Sequence, residues 1–398
     1  MKVRVEALGR PLELDDGVLA PYQEQLLDGE TAAPVRLVYA AAHVCMRAEY
    51  AAVPHRHDVP VSGEEIEPLL DWEATLALRK RLDRLGFGVA EAMDTAQRFH
   101  VGWPVAAKLI ECTGALKLRR GFCAGAGVDH LPAVEDEAQL VEGVAYQARY
   151  IQEHGGIPVL LPMLRLAQEG YDEDGYVRVY RAILERVEGP VFVHWLGAMF
   201  LPALEGYFPG RSFERVMELD PQKVRGAKLS LLDDAQERRL RVQLLERDQL
   251  LLTGDDFHFG GLMAGGPVLR TTQLAGREVA LGDFSHGLLG IFDAVAEPAG
   301  IALQLLARGD EAGYRALMEP CEALGQHLFQ APTQHYKAGL AFLAWLGGWQ
   351  PNPMLAVHEE RARDAAHYVE AARLASAAGL FRDAPGAAAR LRAFLDDA

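Results

Sequence analysis

The sequence is poor in the residues that staple small folds. It has four cysteines in 398 residues, Cys45, Cys112, Cys123 and Cys321, and no two form a CxxC pair. That spacing suits neither a zinc knuckle nor a disulfide framework, and free, buried thiols in a reducing compartment are expected. No stretch approaches the roughly 18 uninterrupted apolar residues of a membrane span. The opening MetLysValArgValGluAla lacks the apolar core of a signal peptide. Runs of Lys and Arg are missing too: 40 basic residues stand against 56 acidic ones, a net charge of -16. Such a surface repels phosphate backbones, so nucleic acid is not an expected partner. The glycine-rich segment 260–266 has no Walker lysine, and no GxGxxG turn follows a strand, so no nucleotide cofactor is indicated. A soluble, cytoplasmic protein is expected.

What is present is a rhythm. Short apolar runs at 35–41, 87–92, 118–124, 157–162, 190–195, 224–230, 249–254 and 278–283 alternate with helix-length amphipathic stretches. Runs that are apolar on both faces suit a buried parallel sheet. Eight of them between helices predict a (β/α)8 TIM barrel over residues 35–287. Residues 1–34 read as an N-terminal β extension, because 1–7 alternate and 9–15 resemble a hairpin return. From 288 to 398 the pattern is purely helical, with helices expected near 288–308, 310–329, 335–347, 358–378 and 384–397. The helix at 71–86 has an Asp cap and a Gly stop.

In such a barrel the chemistry sits at the C-terminal ends of the strands. Those ends carry His43, Asp94 with Thr95, Asp129 with His130, Met163, His194 with Trp195, Lys228, Asp255 and Asp256 with His258, and Asp283 with Ser285 and His286. Lys228 lies inside an apolar run, where an ammonium is costly to bury. Desolvation lowers a lysine's pKa, and a neutral amine attacks a carbonyl to form an imine. The alternative is a lysine that snorkels from the strand end to water.

At this point the chain resembles the dihydrodipicolinate synthase / N-acetylneuraminate lyase superfamily of class I aldolases. GlyAlaLysLeuSer (226–230) matches its Schiff-base strand, and LeuLeuThrGlyAspAsp (251–256) the next strand and turn. PheCysAlaGlyAlaGly (122–127), ProValPheValHisTrp (190–195) and residues 328–343 follow in the family's order, over roughly 35–347. No single motif is specific; their colinearity is. The chain looks closest to a branch without an assigned reaction. The resemblance implies an imine on Lys228, no organic cofactor, a 2-oxo acid or sugar-acid substrate, and a homo-oligomer, dimer or tetramer. Several positions depart from the pattern. His194 stands where the family has a proton-relaying tyrosine, and a histidine does acid–base work near neutral pH. The carboxylate-gripping arginine is missing from LeuGlyAlaMetPhe (196–200), with Arg211 the next candidate. AlaMetAspThr (92–95) replaces the Gly-Thr-Thr-Gly turn, and the tyrosine pair near ProMetLeu (162–164) is gone.

The first reading is therefore an aldolase-type lyase or synthase. Lys228 and His194 are catalytic, and Asp94, Thr95, Asp129, His130, Trp195 and Asp255 contact substrate. A second reading is a metal-dependent barrel hydrolase or lyase built on His43, His55, His57 and Asp255, without a complete ligand set by spacing alone. A third is an inactive barrel that binds a sugar acid, since fold does not imply activity.

Overall fold

The computed structural model describes residues 1–25 and 35–397. The boundary drawn from sequence at residue 34 lies outside them. The chain opens with strands β1 (Lys2–Ala7) and β2 (Arg10–Asp15), paired antiparallel with Val5 opposite Leu12. Val5, Ala7, Leu12 and Leu14 are buried on one face, as the period-two pattern requires. That face rests on the C-terminal helices Ala365–Ala377 and Ala384–Asp397. The Asp15 amide donates to Ser376 Oγ at 2.9 Å.

Eight parallel strands close a barrel: β3 (Val38–Ala41), β4 (Gly88–Glu91), β5 (Phe122–Ala126), β6 (Ile157–Leu160), β7 (Val191–Leu196), β8 (Val224–Ser230), β9 (Leu250–Thr253) and, after a hairpin of β10 (Val268–Leu274) and β11 (Arg277–Gly282), β12 (His286–Leu289). Alternation divides each strand. Tyr39, Cys123, Ile157, Phe192, Leu250 and Leu288 fill the lower interior. Their neighbours Val38, Phe122, Leu160, Val191 and Leu251 belong to the larger core shared with the surrounding helices. Aspartates start many of these helices: Asp71, Asp136, Asp172 and Asp233 each accept a backbone N–H three residues on, satisfying an orphan donor.

One strand differs from the expectation. The run 278–283 is not the eighth barrel strand but β11, and β12 closes the barrel between β9 and β3. The physical reason is one-sided burial: Val279 and Leu281 are buried while Glu278 is exposed. Ala275 and Gly276 both take positive φ, 47° and 77°, the geometry of a tight hairpin turn. Leu274, Val279 and Leu281 pack on Tyr39, Ile157, Phe192 and Leu250, so the hairpin plugs the N-terminal end. Arg277 donates to the Arg120 carbonyl, and Arg225 Nη2 reaches Thr272 Oγ1 at 2.6 Å. Asp283, Ser285 and His286 consequently precede or begin β12, at the end of the barrel opposite the mouth.

The C-terminal helices are Phe292–Ala307, Glu311–Leu328, Tyr336–Leu346, Ala365–Ala377 and Ala384–Asp397. The first packs against β3 and serves as the helix that follows the last barrel strand. The fourth starts at Ala365 rather than 358: Val357 and His358 adopt left-handed φ of 56° and 52°, and Asp364, extended, caps the helix by accepting from the His367 amide.

A buried ion pair ties the mouth together. Arg79 and Glu91, both fully buried, meet through Nε–Oε2 at 2.8 Å and Nη2–Oε1 at 2.9 Å. Glu91 also accepts from Thr113 Oγ1 and the Ala92 amide, and Arg79 donates to the carbonyls of Ala42 and His43. Removing one partner strands a charge. Glu91→Leu is therefore expected to lower unfolding free energy by about 3–5 kcal/mol, and Arg79→Met/Glu91→Leu by clearly less. Chemical denaturation of the three proteins checks this; an equal loss in the single and double variants would refute it.

Candidate active site

Period two places the central pair. His194 on β7 and Lys228 on β8 are partners in the register, two residues beyond the interior residues Phe192 and Gly226. Both side chains therefore enter the barrel above its hydrophobic floor. A glycine clears their space: a Cβ on Gly254 would sit 2.2 Å from Ser230 Oγ and 2.9 Å from Lys228 Cε. Lys228 lines a cavity of about 660 Å3 that opens at the C-terminal ends of the strands.

The charges in this floor are suppressed. Burial pushes the Lys228 amine below its ordinary value, against the pull of Asp256, Cys123 and Asp94. Among the described residues no side chain pairs with that amine at hydrogen-bond or ion-pair distance. His194 is held well below 6.5, first by burial and then by the adjacent lysine. Its Nε2 meets Ser230 Oγ at 3.2 Å, and its buried Nδ1 has no partner. Asp256 goes the other way: burial lifts its carboxyl to about 8, with Lys228 and a hydrogen bond from the Ile291 amide (3.1 Å) opposing. An amine, an imidazole and a carboxylic acid thus face one cavity, all biased toward their uncharged forms.

Of the aspartate pair, the structure sends the second into the cavity. Asp255 Oδ1 accepts from the amides of Phe257 and His258, and Oδ2 from His258 Nδ1 at 2.8 Å. It builds the turn and does not line the cavity, so Asp256 replaces it as the candidate. Thr95 lines the cavity, and its hydroxyl lies 2.7 Å from Tyr336 OH. Tyr336, stacked on Phe329 at 4.2 Å, comes from a C-terminal helix. Sequence reasoning missed it; the signal was the one tyrosine inside the matching segment 328–343. Asp94 also lines the cavity, held by Lys337 Nζ at 3.0 Å.

Three expected contacts are corrected or restricted. Asp129 lines the cavity but is clamped by Arg98 (2.8 and 3.1 Å) and Gln147 (3.1 Å), which outweigh burial and lower its pKa. His130 lies outside, bonded to Gln147 and set between Trp103 and Tyr146. Trp195, next to His194 on the strand, necessarily faces outward, onto Phe208 and Phe213. Arg211 precedes the helix Ser212–Met217 and does not line the cavity. The metal set does not assemble. His43 is buried between Asp293 and Gln350, His55 bonds Tyr50, and His57 packs on His335. Among the described residues no group of three or more His, Cys, Asp or Glu is placed to hold a metal.

Gly254→Ala is expected to displace Ser230 or the lysine chain and destabilise by about 1–3 kcal/mol. Thermal denaturation of the variant checks this; a wild-type midpoint would show that the glycine clears nothing.

No helix among the described residues is long and apolar enough to cross a membrane. No curated protein matches the chain in sequence. Solved structures do share its fold. The CdNal structure of Clostridium difficile in complex with mannosamine superposes with a TM-score of 0.58 at 12% identity, covering 85% of this chain and 97% of the other. A catalytic lysine mutant of Ruminococcus gnavus sialic acid aldolase gives 0.56 at 15%, over 89% and 97%. Dihydrodipicolinate synthase from Acinetobacter baumannii, complexed with pyruvate, gives 0.54 at 15%, over 84% and 99%. These establish the architecture of the dihydrodipicolinate synthase and N-acetylneuraminate lyase structures. In sequence, residues 16–398 match one family along almost their whole length, and the chain belongs to it: the family described as Protein of unknown function (DUF993).

Proposed function

We propose that this protein is an aldolase-type lyase or synthase that works through an imine between Lys228 and a 2-oxo acid. The observation that carries the reading is the unpaired amine of Lys228, half-buried in the cavity wall beside the imidazole of His194 and a carboxyl of Asp256 that burial biases toward its protonated form. The shared architecture with a pyruvate-bound synthase and with an aldolase that has a catalytic lysine supports it.

The steps follow from the groups present, written for cleavage of a 4-hydroxy-2-oxo acid. The Lys228 amine attacks C2, and Asp256 gives its proton to the departing hydroxyl, so water leaves and an iminium forms. The proton of the C4 hydroxyl passes to His194 Nε2 through the Ser230 hydroxyl, which lines the cavity and lies 3.2 Å from that nitrogen. The C3–C4 bond breaks, its electron pair moves into the enamine, and an aldehyde departs. The histidine returns its proton to C3, and water hydrolyses the iminium to free the lysine and a 2-oxo acid. The hydroxyls of Thr95 and Tyr336 offer neutral donors to the substrate carboxylate. Ser230, bonded to His194 Nε2, positions the ring.

Incubation with pyruvate and borohydride should leave a reduced adduct on the Lys228 peptide, and Lys228→Ala should have none. An adduct that persists in that variant, or sits on another lysine, sinks the assignment. Asp256→Asn is expected to slow trapping by about 10²–10⁴-fold, the usual worth of a general acid. The pH profile has a defined sign. The acid loses its proton as pH rises through about 8, so wild-type trapping should fall above that pH. A rate that climbs steadily into alkali, as for a surface lysine, would contradict the role given to Asp256.

A further inference from the structure

The polar floor occupies only part of the cavity. Lys228, His194, Ser230, Asp256, Thr95 and Tyr336 gather at one end. The rest extends over β5, β6 and β7, and its walls are of another character. Leu140 and Val144 come from the helix Glu137–Glu153, Met163 follows β6, and Leu204 follows β7; all four are buried. Phe99, Leu164 and Leu201 form the rim, with exposures of 68%, 39% and 37%. Three large apolar side chains left in water around one opening mark a binding surface rather than a chance scatter.

This arm has little to offer a charged or hydroxylated ligand. Arg165 lies on its outer wall with Nη2 paired with Glu169 at 3.0 Å and Nη1 donating to the Val134 carbonyl at 2.7 Å, which leaves a single buried N–H, on Nε, without a partner. Arg98 is spent on Asp129, Gln147 and the carbonyls of Ala92 and Gly125. The Met163 amide is already bonded to Tyr207 OH. Sugar hydroxyls or a second carboxylate would give up more water there than the Arg165 Nε and Gln168 side chains replace, at a cost that an apolar group does not incur. At about 660 Å3 the cavity also exceeds what a three-carbon oxo acid fills; pockets of about 300–1,000 Å3 enclose drug-sized ligands.

We propose that the substrate carries an apolar group, an aryl ring or a medium alkyl chain, beyond the carbon–carbon bond that reacts. Resting on the imine reading, this makes the cleavage product an apolar aldehyde. The electron pair of the broken bond stays with the enamine on Lys228, and the aldehyde keeps the apolar group. A sugar acid does not fit this arm.

The test uses two acids of equal length, 2-oxooctanoate and 2-oxosuberate, in borohydride trapping on the full chain, with pyruvate alongside. Trapping at low acid concentration should be about tenfold or more faster for 2-oxooctanoate, as hydrophobic pockets discriminate. Placing charge at the rim with Leu164→Asp/Leu201→Asp, both exposed enough to fold, should erase most of that ratio. If both acids label Lys228 equally, or the diacid faster, the apolar arm is refuted while the imine survives. If no oxo acid, pyruvate included, labels Lys228, the imine falls. Calorimetric binding of octanoate against suberate, which need no imine, then decides the arm: tighter octanoate supports it, and equal or weaker octanoate overturns it.

Discussion

An amine kept without a counter-ion at the floor of a closed sheet is the constraint on which the site depends. Burial acts on every ionisable group in that floor and always against charge. It lowers Lys228 and His194 and raises Asp256. A carboxylate bonded to the lysine would reverse this, and the nearby acids are arranged so that none is. Asp94 is engaged by Lys337 and Asp129 by Arg98, while Asp256 is itself desolvated. The pairs that look like substrate contacts on a list of acids are therefore part of what leaves the amine without a counter-ion. Gly254 adds the steric half of the same condition, and the β10–β11 hairpin excludes water from below.

How much of this was legible in the sequence depended on the range of the interaction. The barrel, Lys228 and His194 follow from local patterns, because apolar runs and period two decide which residues face inward. Trp195 fails for the same reason: as the neighbour of an inward residue it must point out. The choice between Asp255 and Asp256 was not legible, since both belong to one turn and only the three-dimensional path shows which accepts the turn's amides. The eighth strand was misplaced because a one-sided hairpin strand and a short barrel strand carry similar apolar counts. There, Glu278 and the AlaGly turn at 275–276 were the overlooked signals. Tyr336 was out of reach of strand-end reasoning, because it arrives from a helix far along the chain.

That arrival gives the C-terminal helices a role in the site. Tyr336 bonds Thr95, and its neighbour Lys337 holds both Asp94 and Glu359, which in turn binds Gln97 and His335. The turn after β4 is thus fastened from outside the barrel, while the Arg79–Glu91 pair fastens the strand that leads into it. The shape of the mouth thus depends on how the helical module packs, since the same contacts serve both.

The β1–β2 hairpin extends this linkage to the other end of the chain. It lies on helices Ala365–Ala377 and Ala384–Asp397, which pack in turn on the helix that carries Tyr336. The two termini therefore meet far from the cavity yet brace the same phenol. Trimming or fusing cargo at either extremity would be felt at Tyr336 and its bond to Thr95 through the angle of that helix.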